Sequence, residues 1–128
     1  MNPMIRCALI AALAFAGAAH AQTHRPFPAD ALRGDLQVQV APSVLLNGKP
    51  ARLAPGSRIR NENNLLVTPG EMTAQGKRVV HYTQESDGLI KDVWVLNAAE
   101  TANKRWPKTR AEAAAWRFDA ATQTWIKP

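Results

Sequence analysis

The stretch Val79-Val80-His81-Tyr82-Thr83-Gln84-Glu85-Ser86-Asp87-Gly88-Leu89-Ile90-Lys91-Asp92-Val93-Trp94-Val95-Leu96 decides the reading of this 128-residue chain. Two β-rich runs flank an Asp-Gly pair, a dipeptide that tolerates the positive φ of a tight hairpin. With a two-residue turn, His81 falls opposite Trp94 and Asp92 opposite Thr83. Both runs are apolar or aromatic on both faces. Strands of that kind are buried on both sides, as in a barrel or beneath a covering helix.

Upstream, Leu36, Val38 and Val40 alternate with Gln37 and Gln39, the period-two pattern of a strand with one buried face. Asn47-Gly48 separates two further apolar runs and predicts a hairpin in which Val44 faces Ala51, Leu45 faces Pro50 and Leu46 faces Lys49. Pro50 has no N–H for a ladder, so its strand is expected to be an edge there. Pro55-Gly56 and Pro69-Gly70 read as turns, and Leu65-Leu66-Val67 as a strand between them. The alternation in Arg58-Ile59-Arg60 puts both guanidinium groups on one face, toward solvent, and Ile59 on the other.

Downstream, Asn97 with Glu100 and Thr109 with Glu112 are two capping-box starts. The first helix is expected to end near Arg105, because Pro107 forces the residue before it out of helical geometry, and the second to reach about Arg117. Short strands at regular spacing favour a small closed or partly open barrel, with a sandwich as the alternative. Residues 22–33, which include Pro26 and Pro28, read as an extended leader with His24 in a mobile part. Residues 34–128 then form one domain, with a helical segment over about 97–128.

The stretch from Arg33-Gly34-Asp35-Leu36 through Val44-Leu45-Leu46-Asn47-Gly48-Lys49, then Leu53-Ala54-Pro55-Gly56-Ser57-Arg58-Ile59-Arg60, Gly76-Lys77-Arg78-Val79-Val80 and Gly88 to Leu96, resembles small OB-like barrel domains of exported bacterial proteins. It is similar as well to short exported Gram-negative bacterial proteins of unknown function. The resemblance covers about residues 33–100 and rests on turn and strand residues. It implies a mainly β (α+β) fold: a small OB-like barrel of five or six short strands followed by two short C-terminal helices. It carries no catalytic motif.

Residues 1–21 read as a secretory signal peptide: Arg6, an apolar run from Ala8 to Ala16, then Ala19-His20-Ala21. Cleavage is expected near Ala21, and the location is expected to be periplasmic or secreted. The apolar run is shorter than the roughly 20 residues that cross a bilayer, and no later segment reads as a transmembrane span. Cys7 is the one cysteine and leaves with the signal, so packing rather than a disulfide must hold the fold.

Of 16 Lys and Arg residues, Arg6 lies in the signal, which leaves 15 against 10 Asp and Glu, a net charge of +5. From Leu36 to Asn61 the chain carries Lys49, Arg52, Arg58 and Arg60 and no acid. That stretch is the candidate binding site, for an anionic envelope component such as a lipid head group, lipopolysaccharide or acidic glycan, or for an envelope protein. Export makes nucleic acid a poor candidate.

No catalytic residue, metal-ligand set or cofactor motif stands out. After the signal only His24 and His81 remain as histidines, fewer than the three or four converging ligands of a metal site. His81 reads as a hydrogen-bonded structural residue. No serine lies in a Gly-x-Ser-x-Gly elbow, and the glycines are spread singly rather than in a phosphate loop. Trp94, Trp106, Trp116 and Trp125 read as core anchors before stacking platforms. The expectation is a non-enzymatic extracytoplasmic binding or interaction module. One alternative is a small periplasmic hydrolase or metal-dependent enzyme using His81 and Asp92. Another is an accessory subunit docked through its aromatic tail.

Overall fold

The computed structural model describes residues 23–128. The signal-peptide reading of residues 1–21, with Cys7 and the cleavage point near Ala21, lies outside the described residues. Strands β1 (Leu32–Val38), β2 (Ser43–Leu46) and β3 (Lys49–Arg60) form an antiparallel meander. Strand β4 (Leu66–Val67) folds back on the end of β3, helix α1 (Pro69–Gln75) follows, and β5 (Arg78–Gln84) and β6 (Ile90–Val95) make a hairpin. Strand β1 pairs antiparallel with β5, and β3 pairs parallel with β6. The order β1-β2-β3-β6-β5 therefore closes on itself as a five-stranded, OB-like barrel. Helices α2 (Ala98–Ala102) and α3 (Arg110–Ala115) come after it, then a hairpin of β7 (Arg117–Asp119) and β8 (Thr124–Ile126).

Local chemistry explains the two barrel hairpins differently. At Asn47-Gly48 both residues take positive φ, 54° and 78°, and the register is the expected Val44–Ala51, Leu45–Pro50 and Leu46–Lys49. Pairing of β3 with β6 begins only at Leu53, so Pro50 has a free side where its missing N–H leaves no gap. At Asp87-Gly88 the loop has three residues rather than two: Glu85 N–H bonds Leu89 O at 2.8 Å, and Gly88, at φ 89°, donates to Glu85 O. A bulge that sets Lys91 and Asp92 against Thr83 absorbs the extra residue. The register then returns to His81 opposite Trp94.

Both Pro-Gly readings are corrected. Pro55-Gly56 does not end a strand; β3 runs through it with a register shift between Leu53 and Arg58 and Gly56 at φ 77°. That bend lets one strand pair with β2 by its first half and with β4 and β6 by its second. Pro69-Gly70 opens α1, where Thr68 Oγ1 accepts from Glu71 N–H and the Glu71 carboxylate accepts from Thr68 N–H. Proline suits a first helical turn because the N–H it lacks would have had no intrahelical acceptor.

The C-terminal segment is less helical than expected. Both predicted N-caps form, but α2 ends at Ala102 rather than near Arg105, and α3 ends at Ala115. Trp116 is already extended, and the alternation of Arg117-Phe118-Asp119 with Thr124-Trp125-Ile126 makes a hairpin whose Phe118 and Trp125 rings stack at 4.7 Å.

Two apolar clusters follow. Inside the barrel lie Leu36, Val44, Leu53, Ile59, Val80, Tyr82, Ile90, Val93 and Val95, joined by Met72 from α1. Outside, against β5 and β6, lie Phe27, Ala31, Leu96, Trp106 and Trp125. The β5–β6 hairpin is thus buried on both faces. The leader runs extended, but it is docked: Phe27 N–H donates to Gln123 Oε1 at 2.9 Å and Trp106 Nε1–H to Ala31 O at 2.8 Å. His24 is half-buried and stacks toward Trp106, with ring centroids 6.4 Å apart.

Candidate functional site

Strand register builds the site. Residues that pair across neighbouring strands point to the same face of a sheet. Leu66 pairs with Arg60, Arg60 with Trp94, Trp94 with His81, and His81 with Arg33. These five residues form one transverse row on the outer face. The row beside it, Val67, Ile59, Val93, Tyr82 and Leu32, faces the interior and belongs to the core.

One end of the outer row is covered and the other open. At the covered end His81 is fully buried, stacked on Trp106 at 4.2 Å and met edge-on by Phe27 at 4.4 Å. Among the described residues neither ring nitrogen has a hydrogen-bond partner, so the expected hydrogen-bonded histidine is an apolar-packed one instead. Burial first, then the charges of Arg33, His24 and Arg25, push its pKa down to about 2. An imidazole that is neutral and sealed beneath two rings has no exposed nitrogen for a substrate proton. Asp92 instead lies toward the open end, 3.8 Å from Arg58 Nε.

At the open end Arg58, Arg60, Asp92 and Trp94 line a groove of about 320 Å³ whose other walls are Arg25, Pro26 and Asn64. Its charges are unequally committed. Arg25 is bound to buried Glu100 through Nε at 2.8 Å and Nη2 at 2.6 Å, and it donates to Asn61 O and Val95 O as well. Arg58 is 61% exposed, and its contact with Asp92 is long, so solvent screens that pair. Arg60 has no ion-pair partner among the described residues. The groove therefore offers one uncommitted cation, a second weakly held one, and the face or edge of a half-buried indole.

A larger hollow of about 500 Å³ lies between the leader, the β5–β6 loop and α3. Its one cation, Arg110, donates to Glu85 O at 2.6 Å, and Asp30 is its one acid. It has volume but no uncommitted cation, so the smaller groove is the better candidate site for an anionic group.

The four predicted cations separate. Arg58 and Arg60 share the groove, whereas Lys49 stands at the first hairpin opposite Leu46 and Arg52 stands opposite Ser43 on β2. Arg25, Pro26, Asn64 and Trp94 also line the groove and were missed as site residues. For Arg25 and Asn64 the sequence carries no signal, because their places depend on chain crossings. Among the described residues no group of three or more His, Cys, Asp or Glu could hold a metal ion, and no helix is long and apolar enough to cross a membrane. In comparisons with known proteins, the chain matches no protein family, no curated protein and no solved structure.

Proposed function

We propose that the protein is a non-enzymatic binding module of an extracytoplasmic compartment, and that the groove between β3, β6 and the leader takes an anionic group of a ligand or envelope protein. Arg60 supplies the principal charge, Arg58 releases Asp92 to supply a second, and Trp94 packs against the apolar part of the bound molecule. The observation that carries this reading is the uncommitted Arg60 guanidinium beside the half-buried Trp94 indole on paired barrel strands. A barrel strand holds both side chains without the ordering cost of a loop. The export reading supplies the compartment.

The test is a titration with citrate and inorganic pyrophosphate at low and high salt, followed by tryptophan emission and repeated in Trp94→Phe to isolate the contribution of the groove indole among the four tryptophans. Binding is expected to weaken steeply with salt and to disappear in Arg58→Glu/Arg60→Glu. Salt-insensitive binding, or binding that survives both substitutions, would reject the reading. Lys49→Glu/Arg52→Glu is expected to change little, because neither side chain lines the groove.

A further inference from the structure

Leu65 and Leu66 are 62% and 66% exposed and adjacent in sequence at the rim of the groove. The turn that carries them is built. Asn61 Oδ1 accepts from the N–H groups of Asn63 and Leu65 at 2.9 and 3.0 Å, Asn64 takes φ 63°, and Asn61 N–H bonds Leu65 O at 2.8 Å. The acid of this turn, Glu62, is paired with Arg78 at 2.5 Å and offers no free negative charge. Register then orders the outer face as exposed leucine, arginine and half-buried tryptophan: Leu66, Arg60, Trp94.

We infer that this rim docks on the surface of an anionic lipid bilayer, with Leu65 and Leu66 entering the headgroup boundary while Arg58 and Arg60 meet lipid phosphates. The inference rests on the anion-binding reading above and names the source of the anion. Each element of the row has a place at such a surface: leucine at the acyl boundary, arginine reaching back to phosphate, tryptophan with its apolar body and polar N–H at the headgroup level. A protruding leucine pair needs no preformed pocket in a fluid surface, whereas a protein partner must supply one. Two leucines and two arginines give weak, reversible and salt-sensitive attachment, not anchoring.

The test is co-sedimentation of a chain beginning at Gln22, which retains every strand, helix and core residue, with vesicles of phosphatidylcholine alone and of phosphatidylcholine mixed with phosphatidylglycerol. Sedimentation is expected with the mixed vesicles at low salt only. It should weaken about tenfold in the uncharged variant Leu65→Ser/Leu66→Ser and on the order of a hundredfold in Arg58→Glu/Arg60→Glu. An unchanged melting midpoint checks that the leucine variant folds. No sedimentation with mixed vesicles, or sedimentation indifferent to the leucine change, overturns the inference. If wild type ignores vesicles yet binds citrate or pyrophosphate through Arg58 and Arg60, the lipid inference falls and the groove reading stands. If the arginine variant sediments like wild type, the lipid inference falls, and the groove reading is decided separately by the citrate and pyrophosphate titration. A leucine-dependent crosslink to a protein without vesicle binding also overturns the inference, and assigns the rim to a protein partner.

Discussion

Removing the Glu100 carboxylate should release the leader and unsettle the whole outer layer. Glu100 is fully buried and accepts four hydrogen bonds: from Arg25 N–H at 2.8 Å, Arg25 Nε at 2.8 Å, Arg25 Nη2 at 2.6 Å and Asn97 N–H at 3.0 Å. Glu100→Ala leaves a guanidinium only 13% exposed without its counter-charge. Breaking a buried ion pair from one side costs about 3–5 kcal/mol, out of a total stability of about 5–15 kcal/mol for a domain of this size. Each kcal/mol moves the melting midpoint by about 4–8 °C, so thermal unfolding followed by circular dichroism should show a fall of about 12 °C or more. Arg25→Met/Glu100→Leu removes both charges together and should recover most of that loss. Burial alone would raise the Glu100 pKa, but the hydrogen bonds from Arg25 and Asn97 and the Arg25 charge outweigh it and hold it below its ordinary value. A carboxyl depressed in this way stabilises the fold above its unfolded pKa, about 4.3, and that contribution fades as pH falls through the folded value. Wild type should therefore show an acid-induced loss below about pH 4 that Glu100→Gln lacks. A Glu100→Ala midpoint within about 3 °C of wild type, or a double variant no more stable than the single one, would refute the latch.

His81 should impose a second acid sensitivity in a different window. Its pKa of about 2 lies far below the unfolded value near 6.5, so its contribution is complete above about pH 6.5 and declines below it, by up to about 1.4 kcal/mol per pH unit. His81→Leu removes two unpartnered nitrogens and should leave stability at neutral pH equal or higher while flattening urea midpoints between about pH 6.5 and 4.5, where Glu100 stays ionised. A midpoint as pH-dependent as that of wild type would contradict this account. Gly48→Ala should cost about 1–2 kcal/mol in the same urea assay, because a Cβ at φ 78° meets its own backbone. Gly70→Ala, in α1, where an added Cβ meets only Thr68 Oγ1 at 3.9 Å, should instead stabilise by about 0.4–1 kcal/mol. The reverse order of those two glycine effects would mean that the turn and helix assignments are wrong.

What was legible in the sequence follows from the range of the interactions involved. The Asn47-Gly48 hairpin is settled by two residues and their flanks, so its register could be written down in advance. The β5–β6 strands declared burial on both faces by composition alone, and the barrel interior and the aromatic outer layer supply those two faces. The Asp87-Gly88 loop shows the margin. The expected turn was one residue too short, because Ser86 belongs to it, yet the bulge at Lys91 and Asp92 restored the register at His81 and Trp94. Thr68-x-x-Glu71 carries the same capping signature as the two helix starts that were recognised, but the Pro-Gly pair inside it reads equally as a turn. Which of the two wins depends on Met72 finding a place in the barrel interior.

The groove was only half legible for a different reason. Lys49, Arg52, Arg58 and Arg60 are equivalent as a run of cations without acids, and nothing in their spacing separates the second pair from the first. The separation comes from the parallel pairing of β3 with β6, which joins strands 30 or more residues apart and sets Arg60 beside Trp94 and Arg58 beside Asp92. The third wall comes from the leader, held by an ion pair between Arg25 and Glu100, 75 positions apart. Closure of the barrel thus creates the groove. The strand that ends the meander carries the cations, the strand that ends the hairpin carries the indole, and the latch decides whether the groove between them has a wall. Substitutions at Glu100 should therefore alter anion affinity through Arg25 without replacing a groove residue, whereas substitutions at Lys49 or Arg52, though closer to Arg58 in sequence, should leave it unchanged.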